Sequence, residues 1–218
     1  MISNYFTPKI DFDSIIDNDS IKNSRGDYWY LNSHTYEPYS WNTEVFSNEE
    51  IDKIRILGTR LNAERAETGG KGKDCLDHRR SFVSWIPTND LTSWIYQRLT
   101  ASVNQNNEQY FKFDLTMIER LQFTFYDGNE EGCYKSHVDP LTWNNPHNRK
   151  LSFVLQLSDP SKYEGGELKL YNGHEPITIK KEKGLIVFFP SYTLHEVTPV
   201  TKGERYTLVG WVHGPAFK

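Results

Sequence analysis

The sequence predicts an α+β fold that is mainly β, with its helices gathered ahead of the strands. Three observations carry this. Two stretches with amphipathic helical spacing come first, between residues 46 and 103. From residue 115 onward the apolar period changes to two, as in strands with one buried face. Thirteen Tyr, twelve Phe and six Trp against two Met suit a core of flat and β-branched side chains between sheets better than a helical bundle. Such segregated order places helices over one face of a sheet.

Residues 1–45 are polar and aromatic without a regular period and include Tyr28, Trp29, Tyr30, Tyr36, Tyr39 and Trp41. Their ring content argues against pure disorder and for an extension that packs on the domain or contacts a partner. The domain itself is expected over 46–218. Its first helix is signalled by Ser47 as N-cap, Glu50 completing a capping box, and Phe46 with Ile51 as a hydrophobic staple. Ile51, Ile54, Leu57 and Leu61 supply the buried stripe. A second helix is expected from Asn89 or Asp90 to about Val103, with Leu91, Trp94, Ile95 and Leu99 on one face.

Strands are then expected at Leu121–Tyr126, Leu151–Leu157, Glu167–Tyr171, Ile177–Ile179, Leu185–Phe189 and Arg205–Val212, separated by turn signals at Asp127-Gly128, Gly165-Gly166, Asn172-Gly173 and Lys183-Gly184. In the first two, polar Gln122, Thr124, Tyr126, Ser152 and Gln156 alternate with apolar residues, so one face suits the helices and the other a polar cavity.

At 218 residues the chain can bury a sizeable core as one domain. A net charge of −4 gives no electrostatic footprint for nucleic acid, and no nucleic-acid partner is expected. Lys71, Lys73, Arg79 and Arg80 form a short basic cluster beside Gly69, Gly70 and Gly72, read as a solvated loop. Cys75 and Cys133 are too few for a disulfide framework or a thiolate metal site. No signal peptide or membrane span is apparent, so no membrane partner is expected and a reducing cytoplasm is the expected location.

His137 and Asp139 stand two residues apart and share one face if they lie on a strand. His195 follows the apolar run Gly184–Pro190, which is suited to placing a ligand rigidly. Two imidazoles and one carboxylate leave open positions on an octahedral metal and suit iron(II), whereas a structural zinc site closes itself with four ligands. His34, His78, His147 and His174 lie in polar surroundings and are read as surface residues. His213 shares strand parity with Arg205 and Trp211 but comes late in the chain. Arg205 and Thr207 have the offset needed to converge on one carboxylate, which guanidinium grips bidentately. Tyr126 and Gln156 are placed to add hydrogen bonds.

The motifs FSNEE at 46–50, Arg80-Ser81, LQFTFY at 121–126, GCYKSHVD at 132–139, LSFVLQLSD at 151–159, YEGGEL at 163–168, FPSYTLHEVTPV at 189–200 and GER at 203–205 resemble those of the Fe(II)- and 2-oxoglutarate-dependent dioxygenases of the prolyl 4-hydroxylase-like superfamily. Within that group the resemblance is to the PKHD-type hydroxylases of bacteria and phages, which also leaves a host cytoplasm as a setting. It implies a double-stranded β-helix (jelly roll, cupin-like) with helices packed on one sheet. It implies Fe(II) at His137, Asp139 and His195, and 2-oxoglutarate held at its distal carboxylate by Arg205 with Thr207, Tyr126 and Gln156. O2 is the second cosubstrate, and ascorbate an accessory reductant. Asp139 in the third ligand position disfavours halogenation. The implied reaction is hydroxylation of an unactivated C–H bond with succinate and CO2 as co-products. A prolyl or other residue of a protein or peptide is the favoured substrate, in a groove lined by Tyr134, Trp143 and Arg149. The alternatives are a small-molecule hydroxylase of the same family and a cupin-like metal-binding protein without turnover.

Overall fold

Ser47 opens the first helix, α1 (Asn48–Arg60), through the expected reciprocal cap. Its hydroxyl accepts from the Glu50 N–H at 3.3 Å while the Glu50 carboxylate accepts from the Ser47 N–H at 2.8 Å, satisfying two donors that a helix start would otherwise leave open. Phe46, Ile51 and Ile54 are buried, with Leu57 and Leu61 packed partly against the same cluster. The computed structural model describes residues 37–66, 78–139 and 148–215; the readings made on His34, Lys71, Lys73, Cys75, Trp143 and His147 lie outside them. No helix among the described residues is long and apolar enough to cross a membrane.

The second helix, α2 (Ser93–Asn106), begins later than its sequence signal. The Asn89 side chain accepts the Leu91 N–H at 3.0 Å, and the Asn89 carbonyl accepts the Thr92 and Ser93 N–H groups. This local turn competes with helix formation. Leu91 is therefore not on the buried face: it lies in the turn, 85% exposed, while Ile95 and Leu99 are fully buried.

Among the described residues the strands are β1 (Ser40–Asn42), β2 (Glu64–Arg65), β3 (Arg79–Arg80), β4 (Phe82–Trp85), β5 (Met117–Ile118), β6 (Gln122–Asp127) and β7 (Cys133–His137). They continue with β8 (Asn148–Gln156), β9 (Tyr163–Gly165), β10 (Leu168–Tyr171), β11 (Ile177–Thr178), β12 (Ile186–Pro190), β13 (Leu194–Val197) and β14 (Val200–Gly214). They form two antiparallel sheets: a major one in the order β1-β12-β8-β14-β6-β4-β2, with β5 and β9 also on β14, and a minor one in the order β11-β10-β13-β7-β3. This is the expected double-stranded β-helix. Strand β1 falls within the stretch read as an extension and pairs with β12.

Alternation assigns the faces. Phe123, Leu151, Phe153, Leu155, Leu208 and Val212 join the helices in one apolar cluster, and Leu168, Leu170, Val187, Phe189 and Val200 belong to a second. The polar residues between them, Gln122, Thr124, Tyr126, Ser152, Gln156, Arg205 and Thr207, are buried as well. A one-residue slip would exchange the two sets. The register excludes it by setting Arg205 opposite Tyr126, and Thr207 between Thr124 and Gln156.

Helix and sheet meet without spare volume at Gly58, where a Cβ would fall 2.1 Å from the Phe123 ring. Gly58→Ala is therefore expected to destabilise by about 1–3 kcal/mol, the usual cost of overpacking, read as a lower urea midpoint at unchanged slope. On the loop leading into β10, burial pushes the Glu167 carboxyl up, but bonds from Lys181 and Thr198 outweigh it and bring it to about 2. A depressed folded value contributes stability that is present above the ordinary value near 4.5 and lost as pH falls through about 2. Glu167→Gln should be less stable than the parent at neutral pH, and denaturation series at descending pH should show the gap closing below that ordinary value.

Candidate metal centre and the cavity behind it

The two sheets enclose a cavity of about 260 Å³. The major sheet lends it Gln122, Tyr126, Arg205, Thr207 and Trp211, and the minor sheet Arg79, Tyr134, His137 and His195, with Asp139 just past β7. The turn closed by the Thr193 N–H on the Pro190 carbonyl at 2.8 Å carries the chain from β12 in the major sheet to β13 in the minor one. There His195 lies directly opposite His137, and the two imidazole centroids are 4.2 Å apart. Strand β7 stops at His137, so Asp139 is placed not by strand periodicity but by its N–H on the Ser191 carbonyl at 3.0 Å.

The ligand atoms of His137, Asp139 and His195 all lie within 4.8 Å of one another. Each imidazole is oriented from behind: Nδ1–H of His137 donates to the Lys135 carbonyl at 2.8 Å, and Nδ1–H of His195 to the Thr193 carbonyl at 2.9 Å. Both Nε2 lone pairs are thereby left for a metal. Burial, then the neighbouring His195, holds His137 far below the usual imidazole range, so it is a neutral donor. Asp139 is buried and accepts from the Ser152 hydroxyl, which is in turn 2.9 Å from that of Ser191. Two imidazoles and one carboxylate fit a ferrous ion with positions left open, and among the described residues no thiolate joins them.

Deeper in the cavity Arg205 is 1% exposed. Its Nη2 donates to the Gln156 amide oxygen at 3.1 Å, its guanidinium carbon lies 5.3 Å from the Tyr126 ring centroid, and its Nε has no acceptor. Thr207, on the same face of β14, is equally buried. Among the described residues no carboxylate pairs with this cation. A buried charge without a counter-ion is costly, so an anion is the ligand that this end of the cavity suits, and 2-oxoglutarate fits it. Gly166 allows the close packing: at φ +66° it meets the Arg205 Cδ so nearly that an added Cβ would be 2.9 Å away.

Of the residues expected to line a substrate groove, Tyr134 and Arg149 are on the cavity wall and Trp143 lies outside the described residues. Arg149 is held by Glu119 through bonds of 2.6 and 2.8 Å, and its guanidinium lies 3.9 Å from the Trp211 ring centroid. Burial raises the Glu119 carboxyl, yet Arg149 and His213 outweigh that and keep it below its usual value. His213 is buried and bonded to Glu119. The Trp211 indole N–H is buried without an acceptor.

Two expectations are corrected. Arg79 is not part of a solvated loop: it is 7% exposed, bonds Ser81 at 2.9 Å and lines the cavity. His78 is not a free surface residue, since it is half-buried and meets the Tyr134 ring edge-on at 5.7 Å. Alternation in the short pair Arg79-Arg80 was the signal for the first. For Glu119 the sequence held none.

The profile of the 2OG-Fe(II) oxygenase superfamily matches residues 121–213. A PKHD-type hydroxylase of Maricaulis maris is 40% identical over 170 residues, 78% of this chain and 74% of that protein. One from Hyphomonas neptunium is 41% identical over 86 residues, 38% of each, and one from Prochlorococcus marinus 41% identical over 88 residues, 40% of this chain and 39% of that protein. In these last two matches the chain spans about two fifths of the relatives' length. Among solved structures, a Pseudomonas putida prolyl-4-hydroxylase is similar at TM-score 0.63 with 21% identity, covering 82% of this chain and 94% of that one. A Trichoplax adhaerens prolyl hydroxylase, in complex with a hypoxia inducible factor peptide fragment, is similar at 0.65 with 16% identity, covering 80% and 83%. At these identities the structural likeness concerns the fold.

Proposed function

The chain belongs to the 2OG-Fe(II) oxygenase superfamily, with PKHD-type hydroxylases as relatives, and we propose that it hydroxylates an unactivated C–H bond in a prolyl or other residue of a protein or peptide. The observation that carries this reading is the pairing, in one cavity, of an open-sided His-Asp-His cluster with a buried Arg205 that has no carboxylate partner among the described residues. A metal store needs only the first. Iron(II), when bound, couples O2 and 2-oxoglutarate so that one oxygen atom enters the C–H bond and the other leaves in succinate, with CO2 released.

The chain's own residues do the positioning. Nε2 of His137, Nε2 of His195 and the Asp139 carboxylate hold the ion. The backbone carbonyls of Lys135 and Thr193 keep both rings in the required tautomer, and the Ser152 hydroxyl aims the carboxylate. Arg205 grips the distal carboxylate of the cosubstrate, assisted by Thr207, Gln156 and Tyr126. On the cavity wall, Arg149, whose guanidinium lies 3.9 Å from the Trp211 ring centroid, presents a polar group to a substrate backbone. The peptide in the Trichoplax adhaerens complex supports a polypeptide substrate.

Reconstitution with iron(II) and 2-oxoglutarate should yield succinate, and proline-containing peptides incubated with the protein should gain one oxygen by mass spectrometry. Absence of succinate from a metal-loaded, folded sample would overturn the enzymatic reading. Succinate formation stimulated by a free small molecule and by no peptide would overturn the substrate class. Ser152→Ala tests the orientation of the carboxylate separately: metal affinity should fall about 10–100-fold, the usual effect of removing a partner behind a ligand, in an anaerobic titration with unchanged circular dichroism.

A further inference from the structure

Tyr134, expected to line a substrate groove, lies on the cavity wall and also packs against a candidate metal ligand. The ring lies 3.5 Å from the His137 imidazole, centroid to centroid, with only 16° between the planes. The Arg79 guanidinium carbon is 4.4 Å from the same Tyr134 centroid. Two groups so near one centroid cannot share a face, so Arg79 covers the other. Edge-on, His78 closes part of the rim.

We propose that Arg79 and Tyr134 form a stacked column that fixes the plane of the His137 ring, which makes Tyr134 a positioning residue for the metal ligand. The inference rests on His137 being a ligand, as proposed above. The bond from Nδ1–H to Lys135 anchors one atom of the imidazole, but rotation about the bond joining the ring to Cβ is soft, with broad minima. A flat ring against the imidazole face blocks that rotation, so Nε2 stays aimed as the ion arrives. The column is itself braced. Register sets Arg79 opposite Tyr134 across β3 and β7, the Arg79 Nε bond to Ser81 holds the guanidinium in place, and a cation over an aromatic face is attracted by the ring. Among the described residues His195 has no equivalent stack: its ring neighbours are His137 at 4.2 Å, tilted by 51°, and Phe189 at 4.8 Å, tilted by 58°. The support is therefore specific to the half-buried ligand His137, while His195 is held by burial.

The test is cobalt(II) binding to the whole protein without 2-oxoglutarate, read by calorimetry and by the d–d absorption bands, which report ligand geometry. Tyr134→Leu should bind about 10–100-fold more weakly with shifted bands. Tyr134→Phe, which keeps the ring, should match the parent in both readouts. Arg79→Met should fall between them, with Arg79→Lys recovering part of the loss. A folded Tyr134→Leu protein with the parent's affinity and spectrum would overturn the column, as would a Phe variant as impaired as the Leu variant. Should Tyr134→Leu fail to fold, Arg79→Met decides, and parental affinity and bands there overturn the proposal. His137→Ala separates the two levels: if it binds cobalt like the parent, the ligand assignment has failed, whereas lost binding there beside normal binding in Tyr134→Leu condemns the column alone.

Discussion

Replacing His137 with alanine is expected to lower succinate formation to below about a thousandth of the parent rate and to abolish stoichiometric iron(II) binding. A bound metal contributes several kcal/mol of charge stabilisation to reactions of this type, and each 1.4 kcal/mol is about tenfold. The two imidazoles face each other at 4.2 Å, so losing one removes a donor that no other described residue replaces. Anaerobic iron titration and a succinate assay measure the two effects. Because the variant removes a half-buried ring from a cavity wall, circular dichroism must show the same fold. Persistent turnover in a folded variant would mean that the ion binds elsewhere.

Arg205→Met should act on cosubstrate binding and on stability in opposite directions. Removing one partner of a buried charge pair costs about 3–5 kcal/mol, so the 2-oxoglutarate KM should rise by about two to four orders of magnitude with a smaller change in kcat. Without cosubstrate, however, the parent holds a cation that is 1% exposed and has no carboxylate partner among the described residues. An unbranched apolar side chain of similar reach removes that cost, and the melting temperature of the ligand-free protein should rise. Addition of 2-oxoglutarate should then raise the melting temperature of the parent but not of the variant. An unchanged KM would show that the anion-binding end of the cavity lies elsewhere.

What the sequence revealed and withheld follows from which signals are periodic. The alternation through Gln122, Thr124, Tyr126, Ser152 and Gln156 gave the cavity face of the major sheet, because each strand is covered by helices on one side and by the minor sheet on the other. The cap at Ser47 was legible because it is local. Leu91 misled because an Asn89 side-chain turn overrode helical spacing. The minor sheet was read in part: the stretches Glu167–Tyr171 and Ile177–Ile179 anticipated β10 and β11, whereas no strand was expected at β13 or β3. The three candidate ligands were legible, but Asp139 was assigned to a strand that had already ended. Arg79 and Glu119 were missed because their burial depends on partners distant in sequence, Tyr134 and the pair Arg149 and His213.

The latch on Asp139 has a mechanical meaning. Its backbone is tied to Ser191 and its carboxylate to Ser152, at the junction of β12 and within β8, while both imidazoles ride on β13 and β7. With that donor set, an ion gripped by all three clasps one layer of the sandwich to the other, like a rivet through two plates. Prying the layers apart would then break coordination, and iron held by this chain would resist unfolding forces that the bare polypeptide could not.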